Sequence, residues 1–460
     1  MPPAYQKPAL PVPDSYAGAP GYAAAIPAAA IDWRDYFLDP QLQALIARAL
    51  ANNRDLRGAI LRVQEARAAY GIQRADRLPT VAATLDAARA GVPGDLNITG
   101  RPMVGNQFQL GVGFSSWEID FWGRVRSLNE AALENYLASD AAGIAATLGL
   151  IIQVANNYLA LRESDERLVL ARRTAASRSE SLRIFRRRVE LGATSKLELT
   201  QVELLWQQAE ALVAQLEHGR AAQVNALALL VGVPVQLESG ARRFDDSVAL
   251  RELQPGLPSD LLLYRPDIVA AEHGLRAAQA NIGAARAAFF PRIALTGFVG
   301  TASIELDRLF NSGSQDWTFA PSIALPIFDA GRREAALDLA TVRREQAVVR
   351  YEQAVQAAFR DVSDALAARR WLGEQVTILS ATLAVQTERA RLAKLRYDSG
   401  SARYLEVLDA ERELLAVEQQ LVQTRRANLS SQVALFAALG GGSQHLTTSP
   451  SAATTGLPAP

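Results

Sequence analysis

The chain repeats itself. Residues 188–232 align without a gap to residues 396–440 at an offset of 208, sharing Arg188/Arg396, Gly192/Gly400, Leu197/Leu405, Glu198/Glu406 and Gly232/Gly440 among others. Residues 55–79 align to 267–291 at an offset of 212, sharing Asp55/Asp267, Gly71/Gly283, Arg74/Arg286 and Pro79/Pro291. Between these blocks "EIDFWGR" (118–124) stands opposite "PIFDAGR" (326–332). The change of offset falls between Pro79 and Gly123, so a loop there is longer in the first half. A duplicated chain folds as two copies of one unit, and any fold assigned to one half must suit the other.

Each half reads in the same order. A helical run ends at a proline (54–77 and 266–290), and two stretches of period-two alternation follow. In the first half Val81, Ala83, Leu85 and Ala87 share one face, as do Phe108, Leu110, Val112 and Phe114. The second half repeats this in "RIALTGFVG" (292–300) and "WTFAPSIALPIF" (317–328), where Trp317, Phe319, Ile323, Leu325 and Ile327 alternate with small or polar residues. Half-buried strands of a soluble sheet carry the same alternation. Helical patterns without an interior proline then run from Arg124 to about Leu191 and from Arg332 to about Asp398. At 1.5 Å per residue each is on the order of 100 Å long, far beyond an ordinary globular helix. A glycine turn and a return helix close each half, at 195–231 and 403–439. The economical packing sets one long helix beside two shorter ones stacked end to end.

Four strands per chain leave two open edges, and an open sheet cannot span a bilayer. If the alternation faces lipid, closure takes several chains in a symmetric ring. A spanning helix is a poorer solution. The uncharged stretch Ala141–Leu161 is interrupted by Gln153, Asn156 and Asn157. Its Leu148, Ile151, Ile152, Ala155 and Leu159 form the stripe of a packed helix.

Composition removes whole classes of function. Lys+Arg and Asp+Glu both total 48, which argues against nucleic acid as a partner. There is no Cys and there are three His (His218, His273, His445), so a disulfide framework and a thiol nucleophile are excluded and a zinc site nearly so. No metal constellation, histidine dyad or phosphate loop points to an enzyme. The opening "MPPAYQKPALPVP" has neither a charged n-region nor an apolar h-region, so the chain is expected to be either cytoplasmic or a mature form with a replaced start.

Five segments are expected: an extended N-terminal arm (1–39), a first repeat (40–232) with strands near 80–90 and 106–118, a small linker element (233–262), a second repeat (263–440) with strands near 292–302 and 316–328, and a flexible tail (441–460).

"PPAYQKP" near the start, "LPSDLLLYRPDIVAAEHGLRAAQANIGAARAAFFPRIALT" (257–296), "LPIFDAGRREAALD" (325–338) and "GSARYLEVLDAERELL" (400–415) together resemble the TolC/OprM-like outer-membrane factors, in particular the lipoprotein branch of drug-efflux ducts. The resemblance covers essentially the whole chain. It implies an internally duplicated α+β membrane protein, a homotrimer whose twelve strands form one transmembrane β-barrel continued by a long α-helical coiled-coil barrel with a small equatorial element. It implies a passive, gated channel of a tripartite multidrug efflux system in the outer membrane of a Gram-negative bacterium, contacting outer-membrane lipid. The partners would be a periplasmic adaptor and an inner-membrane transporter of the resistance–nodulation–division class, with no cofactor. Lipoprotein members carry an acylated N-terminal Cys just ahead of the segment matching residues 3–8. That lipid is expected on the native precursor, its Cys being absent from this chain.

An export duct needs a lumen, a gate and docking surfaces. Just beyond the second glycine turn, Leu405, Asp409 and Arg412 share one helical face. Repeated around a symmetry axis they would make an apolar constriction, a ring of carboxylates and a set of cations able to pair with it. The family's closed aperture uses a Leu, an Asp and an Arg at matching positions. The plainer reading makes Leu405 core and Asp409/Arg412 an ordinary surface pair worth a few tenths of a kcal/mol. Gly192, Leu197, Gln201, Gly400 and Tyr404 form the supporting turns, with Gln201 and Leu204 standing where the second copy has Asp409 and Arg412. Gly123, Pro326 and Gly331 mark strand-to-helix elbows. Trp117, Phe121, Trp122, Trp317, Phe319 and Phe328 suit an interfacial girdle, and burial against soluble helices suits them equally. The run "RIFRRRVE" (183–190) reads as a solvated helix face beside the first turn, with adaptor docking as the second reading. A type I secretion duct of the same fold and a soluble coiled-coil scaffold remain as alternatives.

Overall fold

The computed structural model describes residues 5, 7–8, 11–13, 16, 27–235, 250–251, 253 and 264–448. It contains two compact units. One comprises 1–9, 62–140 and 270–352; the other comprises 10–61, 141–269 and 353–460. The described helices are α1 (Trp33–Tyr36), α2 (Pro40–Asn52), α3 (Arg54–Ala75), α4 (Arg124–Glu190), α5 (Lys196–Val231), α6 (Pro266–Ala287), α7 (Arg332–Asp398), α8 (Tyr404–Ala438) and α9 (Ser443–Thr448). The strands are β1 (Ala82–Val92), β2 (Met103–Glu118), β3 (Arg292–Ser303) and β4 (Gln315–Ala324). The duplication is visible as α3-β1-β2-α4-α5 followed by α6-β3-β4-α7-α8, with α4 and α7 both 67 residues long.

The first unit is built on one antiparallel sheet in the order β1-β2-β3-β4. Register places Leu85 beside Leu110, Val112 beside Val299, Val299 beside Trp317 and Ile293 beside Ile323, so one face is apolar across all four strands. The alternate positions Thr84, Asp86, Gln107, Gln109, Asp316 and Thr318 make the other face polar. The amide of Gln109 on β2 donates to Asp316 Oδ2 on β4 (2.8 Å), passing over β3 where Gly300 and Ala302 are small. Two rings lie flat against glycines, one on each face. Phe114 fills the space over Gly297, and Phe298 that over Gly111, Gly113 and Gly300. Between Phe114 and Trp117 the register shifts by one residue, with Ser116 in the left-handed region (φ 52°). This bulge brings Trp117 to the apolar face, beside Leu295. Glu118 then falls on the polar face, held by Arg124 (2.8 Å) and Arg292 (2.9 Å).

The expected fourth strand, 316–328, is shortened. β4 ends at Ala324, because Pro326 has no N–H to continue the ladder, and Leu325 and Ile327 lie beyond it. Pro321 inside β4 is tolerated because β4 is an edge.

In the second unit the long helices pack through apolar faces. Leu148, Ile151, Ala155 and Leu159 of α4 are buried, as expected for a packed helix. α4 is the one described helix whose length and composition alone would suit a membrane crossing. The Tyr36 ring stacks on Phe436 (4.2 Å) and its hydroxyl donates to Gln432 O (2.8 Å). The expected extended arm is not extended throughout, since a 3-10 turn at Ala28–Ala30 precedes α1. Part of the expected flexible tail is also ordered. Gly442 N–H donates to Ala28 O (3.1 Å) and Ser443 Oγ to Tyr264 O (2.8 Å), because these polar groups find buried partners. Of the expected linker element, 233–262, most lies outside the described residues; Leu250 bridges to Phe37. The remainder of the tail, 449–460, also lies outside them.

Candidate functional site

The two glycine turns share one backbone solution. Gly192 (φ 69°) and Gly400 (φ 72°) take the left-handed conformation that stops α4 and α7. Ala193 N donates to Arg188 O (2.8 Å) and Ser401 N to Arg396 O (2.9 Å), while Gly192 N reaches Val189 O (3.0 Å) and Gly400 N reaches Tyr397 O (2.9 Å). These are matched Schellman closures.

The side chains that start the return helices differ. At the head of α5, Ser195 (φ −81°, ψ 152°) accepts from Glu198 N–H (3.2 Å), and Thr194 bonds the Glu198 carboxylate. At the head of α8, Arg403 has nearly the same backbone (φ −79°, ψ 151°) and caps nothing. Glu406, the counterpart of Glu198, is paired instead with Arg396 (2.8 Å), both partners being about half exposed. The first turn is thus fastened by a cap and the second by a screened ion pair.

Beyond the second turn, Leu405 is 49% exposed. Arg412 lies 3.3 Å from Asp409 and 3.5 Å from Glu413, all of them well exposed. Leu405 is therefore not core in a single chain, and the Asp409–Arg412 pair is present. An open groove of about 790 Å³ between α7 and α8 is lined by Val385, Glu388, Leu392, Arg396, Glu406 and Asp409 among others. In the first copy Leu197 and Leu204 are exposed and Gln201 half-buried.

Behind this face lies a hub of which sequence reasoning named Tyr404 but neither Arg178 nor Glu411. Tyr404, on α8, donates to Ser181 Oγ on α4 (2.7 Å) and packs against Phe185 and Tyr397. Buried Arg178, on α4, donates to Leu205 O on α5 (2.8 Å). Burial pulls the Arg178 pKa down, while the nearby Glu411 carboxylate opposes the shift. Burial pushes the Glu411 carboxyl up against the pull of Arg178 and Lys394. No signal in the sequence marked it, since Glu411 matches Glu203 of the first copy, where the carboxylate is 40% exposed and pairs with Arg186 (3.3 Å).

At the elbows, Gly123 (φ 78°) and Gly331 (φ 84°) both take the left-handed turn. Asp120 caps α4 by accepting from Val125 N and Arg126 N (3.0 and 2.7 Å), and Asp329 accepts from Arg333 N (3.2 Å). Pro326 ends the ladder before β4 reaches the elbow. The expected aromatics separate into two groups. Trp317 and Phe319 stand exposed on the apolar face within β4, and Phe121 and Phe328 are exposed beyond the strand ends. Trp117 is half-buried, and Trp122 donates to Pro291 O (2.9 Å) while stacking on Phe290. Along 183–190, Arg183 pairs with Glu180 and Arg187 with Glu190, as on a solvated face. His273 pairs with Glu134 (2.6 Å). Among the described residues no group of three or more His, Cys, Asp or Glu is placed to hold a metal ion.

Comparison with known proteins gives a consistent result. A family model described as outer membrane efflux protein matches residues 45–233 and 257–441. The chain is 41% identical to the outer membrane protein OprJ of Pseudomonas aeruginosa over 443 residues, covering 96% of this chain and 92% of that protein. It is 43% identical to the solvent efflux pump outer membrane protein SrpC of Pseudomonas putida, covering 96% and 94%. Among solved structures, the open state of the MtrE outer membrane channel of Neisseria gonorrhoeae matches with a TM-score of 0.88 at 40% identity, covering 96% and 98%.

Proposed function

The chain belongs to the outer membrane efflux protein family, and from that premise we propose that it works as a passive homotrimeric duct, closed at its turn end by the second hairpin. Its place is the outer membrane, its role that of the outer-membrane channel of an efflux pump, and its family is one of channels rather than enzymes. Such components work in tripartite pumps with an adaptor and an inner-membrane transporter. For this chain the transporter is of the resistance–nodulation–division class, and the cargo comprises drugs and apolar small molecules of the kind named for its solvent-pump relative.

The observation that carries the reading is the sheet. An apolar face with Trp317 and Ile323 about 70% exposed, a polar reverse face and two open edges make a poor soluble surface and a good barrel segment. Three copies give twelve strands, apolar outward and polar inward. Leu405, Asp409 and Arg412 then recur three times around the axis as the closed aperture, and Ser195 braces the hairpin beside it.

The test is purification in detergent, followed by heat-dependent gel migration and planar-bilayer recording. An oligomer that collapses to the single-chain mass on boiling and conducts after reconstitution is expected. A monodisperse single chain, soluble without detergent, would overturn the proposal.

A further inference from the structure

The polar face of the sheet carries one residue out of keeping with it. Phe298 of β3 points to that face, among Gly, Ala, Thr, Gln and Asp, and is the only aromatic residue there on the described strands. Its ring lies on glycine. A Cβ on Gly111 would collide with Phe298 Cζ, one on Gly300 would lie 2.9 Å from the same atom, and one on Gly113 3.1 Å from its Cδ2. Backbone bare of side chains therefore takes one face of the ring and leaves the other turned away from the sheet. The matching pair on the apolar face, Phe114 over Gly297, sits among apolar neighbours and asks for no explanation. An aromatic face presented among polar groups does, because it is a surface that other rings and cations bind.

A carboxylate stands beside the ring. Register sets Thr84, Gly111, Gly300 and Asp316 in one row across the four strands. Phe298 Cζ rests over the two glycines of that row, so Asp316 is the next side chain along it. Cross-strand side chains lie about 5 Å apart at their Cβ atoms, which puts ring and carboxylate within reach of one small cation. The carboxylate is held in place, because Gln109 Nε2 donates to Asp316 Oδ2 (2.8 Å). Among the described residues no Arg or Lys pairs with Asp316. The only cation on this face of the described strands is Arg292, at the start of β3, and it is paired with Glu118 (2.9 Å).

We propose that Phe298 and Asp316 form a weak binding site for small aromatic cations on the lumen wall, the ligand's ring stacking on Phe298 while its ammonium lies toward Asp316. This rests on the barrel reading above, which turns the polar face inward, and it adds a ring and a positive charge to the class of cargo. The two residues select jointly. An inorganic cation offers no surface to the ring, and an aromatic anion meets the carboxylate with the wrong sign. Weakness suits a duct, since a site on an exit path must release what it holds.

The chain has no cysteine, so Phe298→Cys and Val299→Cys place single thiols on opposite faces of β3. A water-soluble methanethiosulfonate reagent should modify the first and not the second in the reconstituted full-length protein. Planar-bilayer recordings then take benzyltrimethylammonium as the probe. Tetramethylammonium, which lacks the ring, and benzenesulfonate, which reverses the charge, are the comparisons. Benzyltrimethylammonium should reduce the wild-type current at lower concentration than either. Phe298→Leu should weaken that block about two- to fivefold, the range of an exposed cation–π contact, and Phe298→Tyr should retain it. Asp316→Asn should weaken it about twofold with the ring still in place, and it carries the test if Phe298→Leu does not assemble. Suppose Phe298→Cys is reached from water, yet the three probes block equally or either assembled variant blocks as wild type does. The site then falls and the channel reading stands. If Val299→Cys is reached in place of Phe298→Cys, or the wild type does not conduct, both fall.

Discussion

Arg403→Ser should convert the second turn into a copy of the first. The backbone at 403 already matches that at 195 within a few degrees, so a serine enters without strain. Its Oγ would accept from the Glu406 N–H, the third helical position, as Ser195 Oγ accepts from Glu198 N–H. An N-cap of this kind is worth about 1 kcal/mol, with a range of about 0.5–2. Removing a cation from a helix N-terminus adds a few tenths at low salt. About 1 kcal/mol is roughly a fivefold change in an equilibrium constant. Amide exchange over 404–408, followed by mass spectrometry on the detergent-solubilised protein, should therefore slow roughly fivefold. Arg403→Ala removes the charge without supplying an acceptor, and should give only the smaller, salt-dependent part. Ser195→Ala should loosen the first turn by about the same 1 kcal/mol. If order in this turn favours the closed aperture, spontaneous openings of the Arg403→Ser channel should fall by a similar factor. Equal exchange in Arg403→Ser and Arg403→Ala would refute the argument, because the missing cap would then not be the source of the difference between the turns.

Asp409→Ala combined with Arg412→Ala should raise conductance or open time of the reconstituted channel. Each exposed pair is worth about 0.5 kcal/mol, so roughly a twofold effect per pair is the scale, and unchanged recordings would count against these residues as the aperture. Gly300→Ala should prevent stable assembly. Its Cβ would lie 2.2 Å from Leu110 O and 2.6 Å from Gly111 Cα, where backbone cannot yield, and heat-modifiable oligomer on gels reads the loss. Glu411→Gln should stabilise the protein at neutral pH. The Glu411 carboxyl is pushed above its ordinary value by burial, so its neutral form fits the fold better. The stability it contributes is complete below the ordinary carboxylate range and is lost as pH rises through the raised value. Wild type and variant should converge in thermal midpoint below about pH 4 and separate above it; a separation that grows with acid would refute the assignment.

Much of the fold was legible because it is written twice. Two copies of one order of elements cross-check each other, and Pro79/Pro291, Gly123/Gly331, Gly192/Gly400 and Gly232/Gly440 stand in both. What escaped was what one residue can do locally. Period-two alternation could not show the bulge at Ser116, since a single inserted residue leaves the composition of a strand unchanged. Pro326 was visible as a terminator, yet the alternation of Leu325 and Ile327 carried the expected strand past it. That Leu405, Asp409 and Arg412 share one face followed from helical spacing, but whether Leu405 was core or exposed did not. Nor did the pairing of Arg178 and Glu411, because two charged residues on separate helices announce no shared burial. The difference between Ser195 and Arg403 was readable all along, as a capping box present in one copy and broken in the other.

The bulge also divides β2 into two reading frames. Up to Phe114 the even-numbered residues face the apolar side, and from Trp117 onward the odd-numbered ones do. Were the bulge ironed out instead, with 115 and 116 each paired to a residue of β3, the strand would keep its length but everything after it would fall out of phase. Trp117 would turn to the polar side. Glu118 would turn to the apolar side, away from Arg124 and Arg292, and a carboxylate would face lipid at the level where strand gives way to helix. The bulge thus sets the sidedness of the membrane wall at its lower margin, and a strand that paired straight through it would suffer a misplaced charge rather than a missing contact.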